Sequence, residues 1–271
     1  MKKLAIITVN YNNYKDTDDF IESFDSQTNK SFHIFVIDVS PDPEIISTSP
    51  HVTKVCADNH GYAYGLNTGY AMARQEGYTH FVFINNDTLV SKTFVAHTLE
   101  AIQKHPASLI GGKIYYAKGY EYHKDRYSKK DEGSVFWYAG GSIDWAHAIA
   151  VHRGVDIVDK GQYDTPEKTT FITGCLMCFD DAFVQKAGQM DDSYFLYYED
   201  ADWCARATKM GVDMFYEPSI IIYHKNSQST GGSGSALHIN YQEKNRIKFG
   251  MRYAPLRTKF HLLKNSLLHK K

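Results

Sequence analysis

The sequence predicts an α/β protein with a doubly wound, mostly parallel central sheet, helices on both faces, and a smaller antiparallel layer. Three observations carry that prediction. Short apolar or β-branched runs alternate with helical stretches through the first half of the chain. Each of three such runs ends in a polar cluster, as strands do where a parallel sheet opens to a ligand. Past residue 117 the alternation gives way to short β-like runs broken by glycine and proline.

The first run, residues 4–9, follows Met1-Lys2-Lys3 and so has the outline of a secretory leader. The run is short, Asn10, Asn12 and Asn13 follow it, and no small-residue cleavage site appears, so it reads as a buried first strand. Residues 32–39, 53–57 and 79–84 are the next strands, with helices at 15–26, 64–75 and 92–104. Continuous apolar character suits strands covered on both faces. Residues 118–133 are charged, Tyr-rich and aperiodic, a long loop. Between 136 and 179, Gly140-Gly141, Gly154, Gly161 and Pro166 interrupt the β-like runs of the antiparallel layer. A helix at 199–209 stops at Gly211, and two brief strands, 214–216 and 220–223, flank Pro218. Three Gly and four Ser make 227–235 a flexible loop, and two helices close the chain.

Composition excludes several classes. The 271 residues carry 30 Lys+Arg against 31 Asp+Glu, a net charge of −1. Nine of those basic residues and none of the acidic ones fall in 244–271, so the body is acidic and the end basic. An evenly basic nucleic-acid binder is excluded. Charged residues at 23% and hydrophobic ones at 43% suit a folded chain long enough for one large domain with an appendage. No apolar run approaches the roughly 18 residues that span a bilayer. Four cysteines make no disulfide framework; Cys175 and Cys178 form a C-x-x-C without a second pair, read as buried thiols rather than a zinc site. Such cysteine use fits the reducing cytoplasm.

Four constellations carry chemistry. Asn85-Asn86-Asp87 follows an apolar strand, where a carboxylate can hold a hard divalent cation, or Asp87 with Thr88 can cap the next helix. Glu199, Asp200 and Asp202 crowd a helix start, which either complements the helix dipole or separates their pKa values enough to leave a general base. Arg206, one turn on, can pair with Asp202. His224 ends an apolar strand and is either structural or a ligand to a metal already present. Residues 59–69 lack the spacing of a Rossmann or Walker loop; their small residues allow close approach to a phosphate or sugar, or plain helix packing.

The order of these segments resembles glycosyltransferase family 2, with its GT-A (Rossmann-like) fold, and especially its bacterial rhamnosyltransferase-like branch. The resemblance runs from Ile6 to about Asn245 and rests on eight motifs in the family's order. They begin with Ile7-Thr8-Val9-Asn10-Tyr11-Asn12, Val36-Ile37-Asp38, Asn59 to Gly69, and Phe83-Ile84-Asn85-Asn86-Asp87. Tyr138-Ala139-Gly140-Gly141, Thr173-Gly174, Tyr198-Glu199-Asp200-Ala201-Asp202, and Glu217-Pro218 through His224 complete them.

The resemblance implies a nucleotide-sugar-binding half (1–116) and an acceptor and catalytic half (117–250); beyond it the sequence itself reads as a basic amphipathic helix (251–271). It places Thr8, Asn10, Tyr11, Asp38, Asn59, Gly65, Asn67, Asn85, Asn86 and Asp87 around the donor, and Asp87 with His224 on Mn2+ or Mg2+. It makes Asp200 the catalytic base with Glu199 second, and sets Trp137, Tyr138, Gly141, Thr173, Gly174 and Asp202 on the acceptor side. The implied activity is inverting transfer from dTDP-rhamnose or a UDP-sugar to a hydroxyl of a lipid-linked cell-surface glycan. Two departures stand out. Asn85 and Asn86 replace one carboxylate of the family's metal motif, implying weaker cation binding, and Val39 stands where the family carries Asn.

Rival readings are a sugar nucleotidyltransferase and a nucleotide-sugar-binding module without catalysis. The first needs a Gly-rich basic loop after the first strand, which Asn10-Tyr11-Asn12-Asn13 does not supply. Against the second stand Glu199, Asp200, Asp87 and His224. The 20 Tyr and 15 Phe suit sugar stacking, with Trp137 and Tyr138 the best candidates. After Pro255, Leu256, Phe260, Leu263 and Leu267 form one helical stripe flanked by Arg257, Lys259, Lys264, Lys270 and Lys271. Such a helix fits the plane of an anionic membrane on the inner face of the cell, or packs on the catalytic domain or the other subunit of a homodimer.

Overall fold

A computed structural model describes residues 3–226 and 236–268, the side chains of 236–238 and 265–268 excepted. The Gly/Ser loop at 227–235 and the side chains of Leu267, Lys270 and Lys271 lie outside the described residues. The first half runs β1 (Leu4–Asn10), α1 (Tyr14–Ser23), β2 (Phe32–Asp38), β3 (Val52–Cys56), α2 (Tyr62–Gln75), β4 (His80–Ile84), β5 (Thr88–Val90), α3 (Phe94–Lys104) and β6 (Leu109–Tyr116). The second runs β7 (Phe136–Tyr138), β8 (Gly141–Asp144), β9 (Ile149–His152), β10 (Glu167–Lys168), β11 (Leu176–Asp180), α4 (Asp181–Ala187), α5 (Glu199–Lys209), β12 (Met214–His224), α6 (Ala236–Tyr253) and α7 (Leu256–Leu268).

The main sheet has the order β10-β12-β6-β11-β4-β1-β2-β3, with β5 on β12 and β7 on β6. It is parallel through β3-β2-β1-β4 and again between β6 and β12, while β11 lies antiparallel between the two blocks. β8 and β9 form a separate antiparallel pair. Register assembles the site. Asn10 is paired with Asp38 at the carboxyl ends of β1 and β2, and Leu176 at the start of β11 faces Ile84 at the end of β4. β5 pairs Thr88 with His224, which brings Asp87 beside the end of β12.

Packing explains why α2 and α5 present their amino ends at that edge. A Cβ on Gly65 would fall 2.7 Å from Val9 Cγ2, and one on Gly69 would strike Ile7, so both glycines let α2 lie directly on β1. Gly65 is therefore a packing residue rather than the donor contact expected of it. Trp203 of α5 is fully buried against Phe83, Phe179 and Phe183, with ring centroids at 5.6, 5.1 and 4.9 Å. An anchor of this size is worth about 3–5 kcal/mol, and it sets α5 across β4 and β11.

Four elements differ from the sequence reading. β6 was not expected, because Gly111-Gly112 breaks its apolar run; Cβ atoms there would collide with Ile172 and the Ile220 carbonyl. β11, expected in the antiparallel layer, joins the main sheet. The two brief strands around Pro218 are one strand, β12, whose register shifts between Glu217 and Ile221 and so absorbs the proline in a bulge. Asp87-Thr88 caps no helix, because Thr88 opens β5 and α3 begins only at Phe94.

Candidate active site

Two carboxylate clusters meet at the carboxyl edge of the sheet. The first is Asp87 with His224, whose Nε2 is 3.2 Å from Asp87 Oδ1, both side chains buried. The backbone bond from Lys225 N–H to the Asp87 carbonyl, 2.9 Å, pins the loop to the strand end, and Lys225 Nζ in turn pairs with Asp16 at 2.9 Å. His224 Nδ1 has no hydrogen-bond partner among the described residues, and the Trp137 ring packs edge-on to the imidazole with centroids 4.6 Å apart. An oxygen and a nitrogen ligand side by side supply two of the roughly six positions of an octahedral Mg2+ or Mn2+ shell, with diphosphate oxygens and water free to complete it. Among the described residues no group of three His, Cys, Asp or Glu side chains could hold a metal alone. Asn85 and Asn86 serve the loop instead. Asn85 Oδ1 accepts from Tyr62 O–H at 2.6 Å, and Asn86 Nδ2 donates to Asn10 Oδ1 at 3.2 Å and Thr17 Oγ1 at 2.8 Å.

The second cluster opens α5. Asp200 Oδ2 accepts the Gly174 N–H at 2.9 Å and Oδ1 accepts its neighbour Ala201 N–H at 2.7 Å. Glu199 is buried, and its Oε2 has no hydrogen-bond partner among the described residues. Burial raises the Asp200 pKa; burial together with the Asp200 charge pushes Glu199 up to about 8. The N–H groups of Gly174 and Ala201 favour the charged form of Asp200, while Glu199 is pushed up by burial and by the Asp200 charge, so Glu199 is the member of the pair that holds its proton at neutral pH. Both line an open cleft of about 340 Å³ with Ile149, His152, Phe171, Tyr197 and Tyr198. Gly174 links the clusters: Tyr62 O–H lies 3.3 Å from its carbonyl while donating to Asn85, and Asn85 N–H donates to the Cys175 carbonyl at 3.2 Å.

The turn before α5 is strained. Tyr197 and Tyr198 have φ of 66° and 74°, left-handed values that cost a non-glycine residue about 1 kcal/mol or more each. Asn245 of α6 holds the turn by donating to the Leu196 and Tyr197 carbonyls at 2.8 and 3.0 Å, and Tyr62 N–H donates to Phe195 O at 2.9 Å.

The sequence model of glycosyl transferase family 2 matches residues 5–182. The chain belongs to that family. It is 24% identical over 215 residues to the low-salt glycan biosynthesis hexosyltransferase Agl10 of Haloferax volcanii, across 78% of this chain and 63% of that protein. A 54-residue stretch, 20% of this chain, is 43% identical to an uncharacterized protein of Mycobacterium tuberculosis and covers 21% of it. The chain thus spans less than two-thirds of the length of these curated relatives. Its GT-A fold is shared with GalNAc-T7 in a structure with UDP, GalNAc and Mn2+, at TM-score 0.63 and 13% identity over 90% of this chain and 48% of that one. It is shared too with the mannosyltransferase PcManGT from Pyrobaculum calidifontis in complex with GDP-Man and Mn2+, at TM-score 0.52 and 14% identity over 98% and 70%.

Within this family 2 chain, several residues expected at the donor or acceptor are used internally. Asp38 has no exposed surface, and its carboxylate accepts from Ser40 Oγ at 2.6 Å, Asn10 Nδ2 at 3.1 Å and Lys54 Nζ at 3.1 Å. It builds the floor of the β1–β2 edge and does not reach a base directly. Asn10 and Thr8 are likewise fully buried. Tyr11, 46% exposed just past β1, is the open aromatic there. Asn59 is exposed and caps Gly61 N–H at 3.1 Å, while Asn67 Nδ2 ties α2 to the Met190 carbonyl at 2.9 Å.

On the acceptor side, Tyr138 is fully buried and donates to Phe171 O at 2.7 Å, so it is a core residue. Asp202 is also sealed, held by Arg206 Nε, Arg252 Nη1 and Tyr253 O–H at 2.8 Å each. The pairing with Arg206 was legible, but the role is to bind α6 to α5, not an acceptor. Gly141 leaves room for Phe171 and Tyr138, and Thr173 is buried beside Gly174 with its Oγ1 accepting Cys175 N–H at 3.4 Å. Trp137 is half-buried against His224. Cys175, Cys178 and Cys204 are buried thiols. Tyr62, His152, Asn245 and Arg252 were not anticipated, since each acts on residues more than ten positions away in the chain with no local pattern to mark it.

Proposed function

We propose that this chain is an inverting, divalent-cation-dependent glycosyltransferase that moves a sugar from a nucleoside diphosphate donor, dTDP-rhamnose or a UDP-sugar, to a hydroxyl of a lipid-linked cell-surface glycan. The observation that carries the reading is that Asp200, open to a cleft, accepts the Gly174 N–H, while the next residue, Cys175, accepts the N–H of Asn85, two residues before the Asp87 that meets His224. Mn2+ in the complexes of both fold neighbours supports a cation.

Asp87 and His224 would hold the cation, which when bound supplies charge neutralisation for the leaving diphosphate. Asp200 takes the proton of the acceptor hydroxyl as its oxygen bonds to the anomeric carbon; the bond from that carbon to the phosphate oxygen breaks, and the electron pair leaves with the diphosphate. Attack from the cleft side, opposite the diphosphate, inverts configuration. Glu199, protonated, keeps a second charge out of the cleft.

The body meets its acceptor at a membrane surface through α7. Leu256, Phe260 and Leu263 are 84%, 68% and 47% exposed, while Leu262 and Thr258 form the buried face of the helix. Among the described residues no helix is long and apolar enough to cross a bilayer; the exposed stripe of α7 suits a helix lying in the membrane plane, on the cytoplasmic side.

Purified protein incubated with Mn2+ and a panel of nucleotide sugars tests the reading. Cation-dependent release of nucleoside diphosphate is expected. Tight donor binding without release would mark an inactive binding module, and consumption of sugar phosphate with nucleoside triphosphate would mark a nucleotidyltransferase.

A further inference from the structure

His152, the last residue of β9, has no part in the reading above. It lines the cleft with Asp200 and Glu199. Its imidazole stacks on Phe171 with centroids 5.8 Å apart and 22° between planes, and lies edge-on to Trp137 at 4.6 Å and to Tyr138 at 5.1 Å. Gly141, its partner across the β8–β9 pair, leaves Phe171 and Tyr138 the room to form this box.

The tautomer follows from its one hydrogen bond. Nδ1 is 3.3 Å from the Trp137 carbonyl, which can only accept, so Nδ1 carries the proton. Burial among three rings pulls the pKa down to about 4, and the ring is neutral at working pH. Nε2 is therefore a bare lone pair. Among the described residues it has no hydrogen-bond partner, and it is not one of the polar atoms sealed without one, so it opens on the cleft. The other polar side chains there are Asp200, the protonated Glu199, Gln242, Tyr197 and Tyr198, and among the described residues no Lys or Arg lines the cleft.

We propose that His152 is an acceptor-binding residue that selects an uncharged sugar, its Nε2 accepting a hydrogen bond from a second hydroxyl while Asp200 accepts the proton of the attacking one. The inference rests on the glycosyl-transfer reading and names the acceptor class for it. Two hydrogen-bond acceptors in one cleft match a polyol, which brings two O–H donors. A carboxylate or phosphate at the same place would face the Nε2 lone pair and the Asp200 carboxylate, with no Lys or Arg among the described lining residues to offset it. The phosphate of a lipid carrier must then lie outside this cleft.

The test uses the full-length chain and two probes, methyl glucoside and the methyl glycoside of glucuronic acid. Long-range proton–nitrogen NMR reads the His152 ring, and donor turnover to water reads whether a probe occupies the cleft. Methyl glucoside is expected to shift the Nε2 signal and to suppress donor hydrolysis, and the glucuronide to do neither. In His152→Leu the glucoside concentration needed should rise about tenfold, as for loss of one hydrogen bond, read against that variant's own hydrolysis without glucoside. His152→Gln, which keeps an accepting oxygen, should stay within about threefold of wild type. Equal binding of both probes, an unmoved Nε2 signal, or a His152→Leu variant that matches wild type would overturn the assignment. Absence of donor hydrolysis in the wild type would instead count against glycosyl transfer, while the NMR shift would still report on His152.

Discussion

Glu199 and Asp200 are adjacent in the chain yet sit in different settings: Asp200 accepts the Gly174 and Ala201 N–H groups, while Glu199 Oε2 has no hydrogen-bond partner among the described residues. That asymmetry has a consequence for stability. Glu199 rises from an ordinary 4.5 to about 8 on folding, so its contribution is complete below about 4.5 and is lost as pH climbs through about 8. The thermal midpoint of wild type should fall across that window relative to Glu199→Gln, which has no proton to lose. Parallel curves for the two proteins would show that Glu199 is not a buried acid. At the same scale, Asp87→Ala should weaken donor binding in Mn2+ by about ten- to a hundredfold, measured by calorimetry; unchanged affinity would remove Asp87 from the donor site. Asp87, Glu199, Asp200 and His224 stood out in the sequence because each follows an apolar strand or opens a helix, and the structure places Asp87 beside His224 and Glu199 beside Asp200 at the cleft. Asp38, Tyr138 and Asp202 carried the same motif signal, and only packing reveals that they are spent on Lys54, Phe171 and Arg252.

Among elements, α6 acts on α5 through the turn that precedes it. Asn245 satisfies two carbonyls in a turn whose tyrosines both sit at positive φ. Asn245→Leu should cost about 1–3 kcal/mol and lower kcat more than donor affinity, because the turn aims the carboxylates and touches no donor group. A variant that loses donor affinity first would contradict that division. α7 makes the opposite case, an element exposed along the stripe its sequence showed. Phe260→Asp and Leu256→Asp should leave stability within about 0.5 kcal/mol yet abolish binding to anionic vesicles. Equal vesicle binding by variants and wild type would reject a membrane contact, and loss of a dimer in light scattering would assign the stripe to a second copy. Strands were legible where apolar runs were unbroken. β6 and the continuity of β12 were not, since Gly111-Gly112 and Pro218 answer to neighbours distant in sequence.

Across the whole molecule, residues 1–116 and 117–250 share a single sheet, because β6 of the first pairs along its length with β12 of the second. The donor edge and the acceptor cleft are thus fixed to one another rather than hinged on separate bodies, and Gly174-Cys175 connects them directly. The charge division follows the same plan, an acidic catalytic body and a basic end that carries α7. Turnover should accordingly need the cation: chelation should abolish nucleoside diphosphate release, and added Mn2+ restore it. The most direct test of the account is donor turnover by Asp200→Asn beside wild type in Mn2+. The variant should bind the same nucleotide sugar with unchanged affinity and release nucleoside diphosphate at least about a hundredfold more slowly, the loss expected of a general base. Turnover at the wild-type rate would show that Asp200 is not the base and that the cleft above it is not where the acceptor is activated.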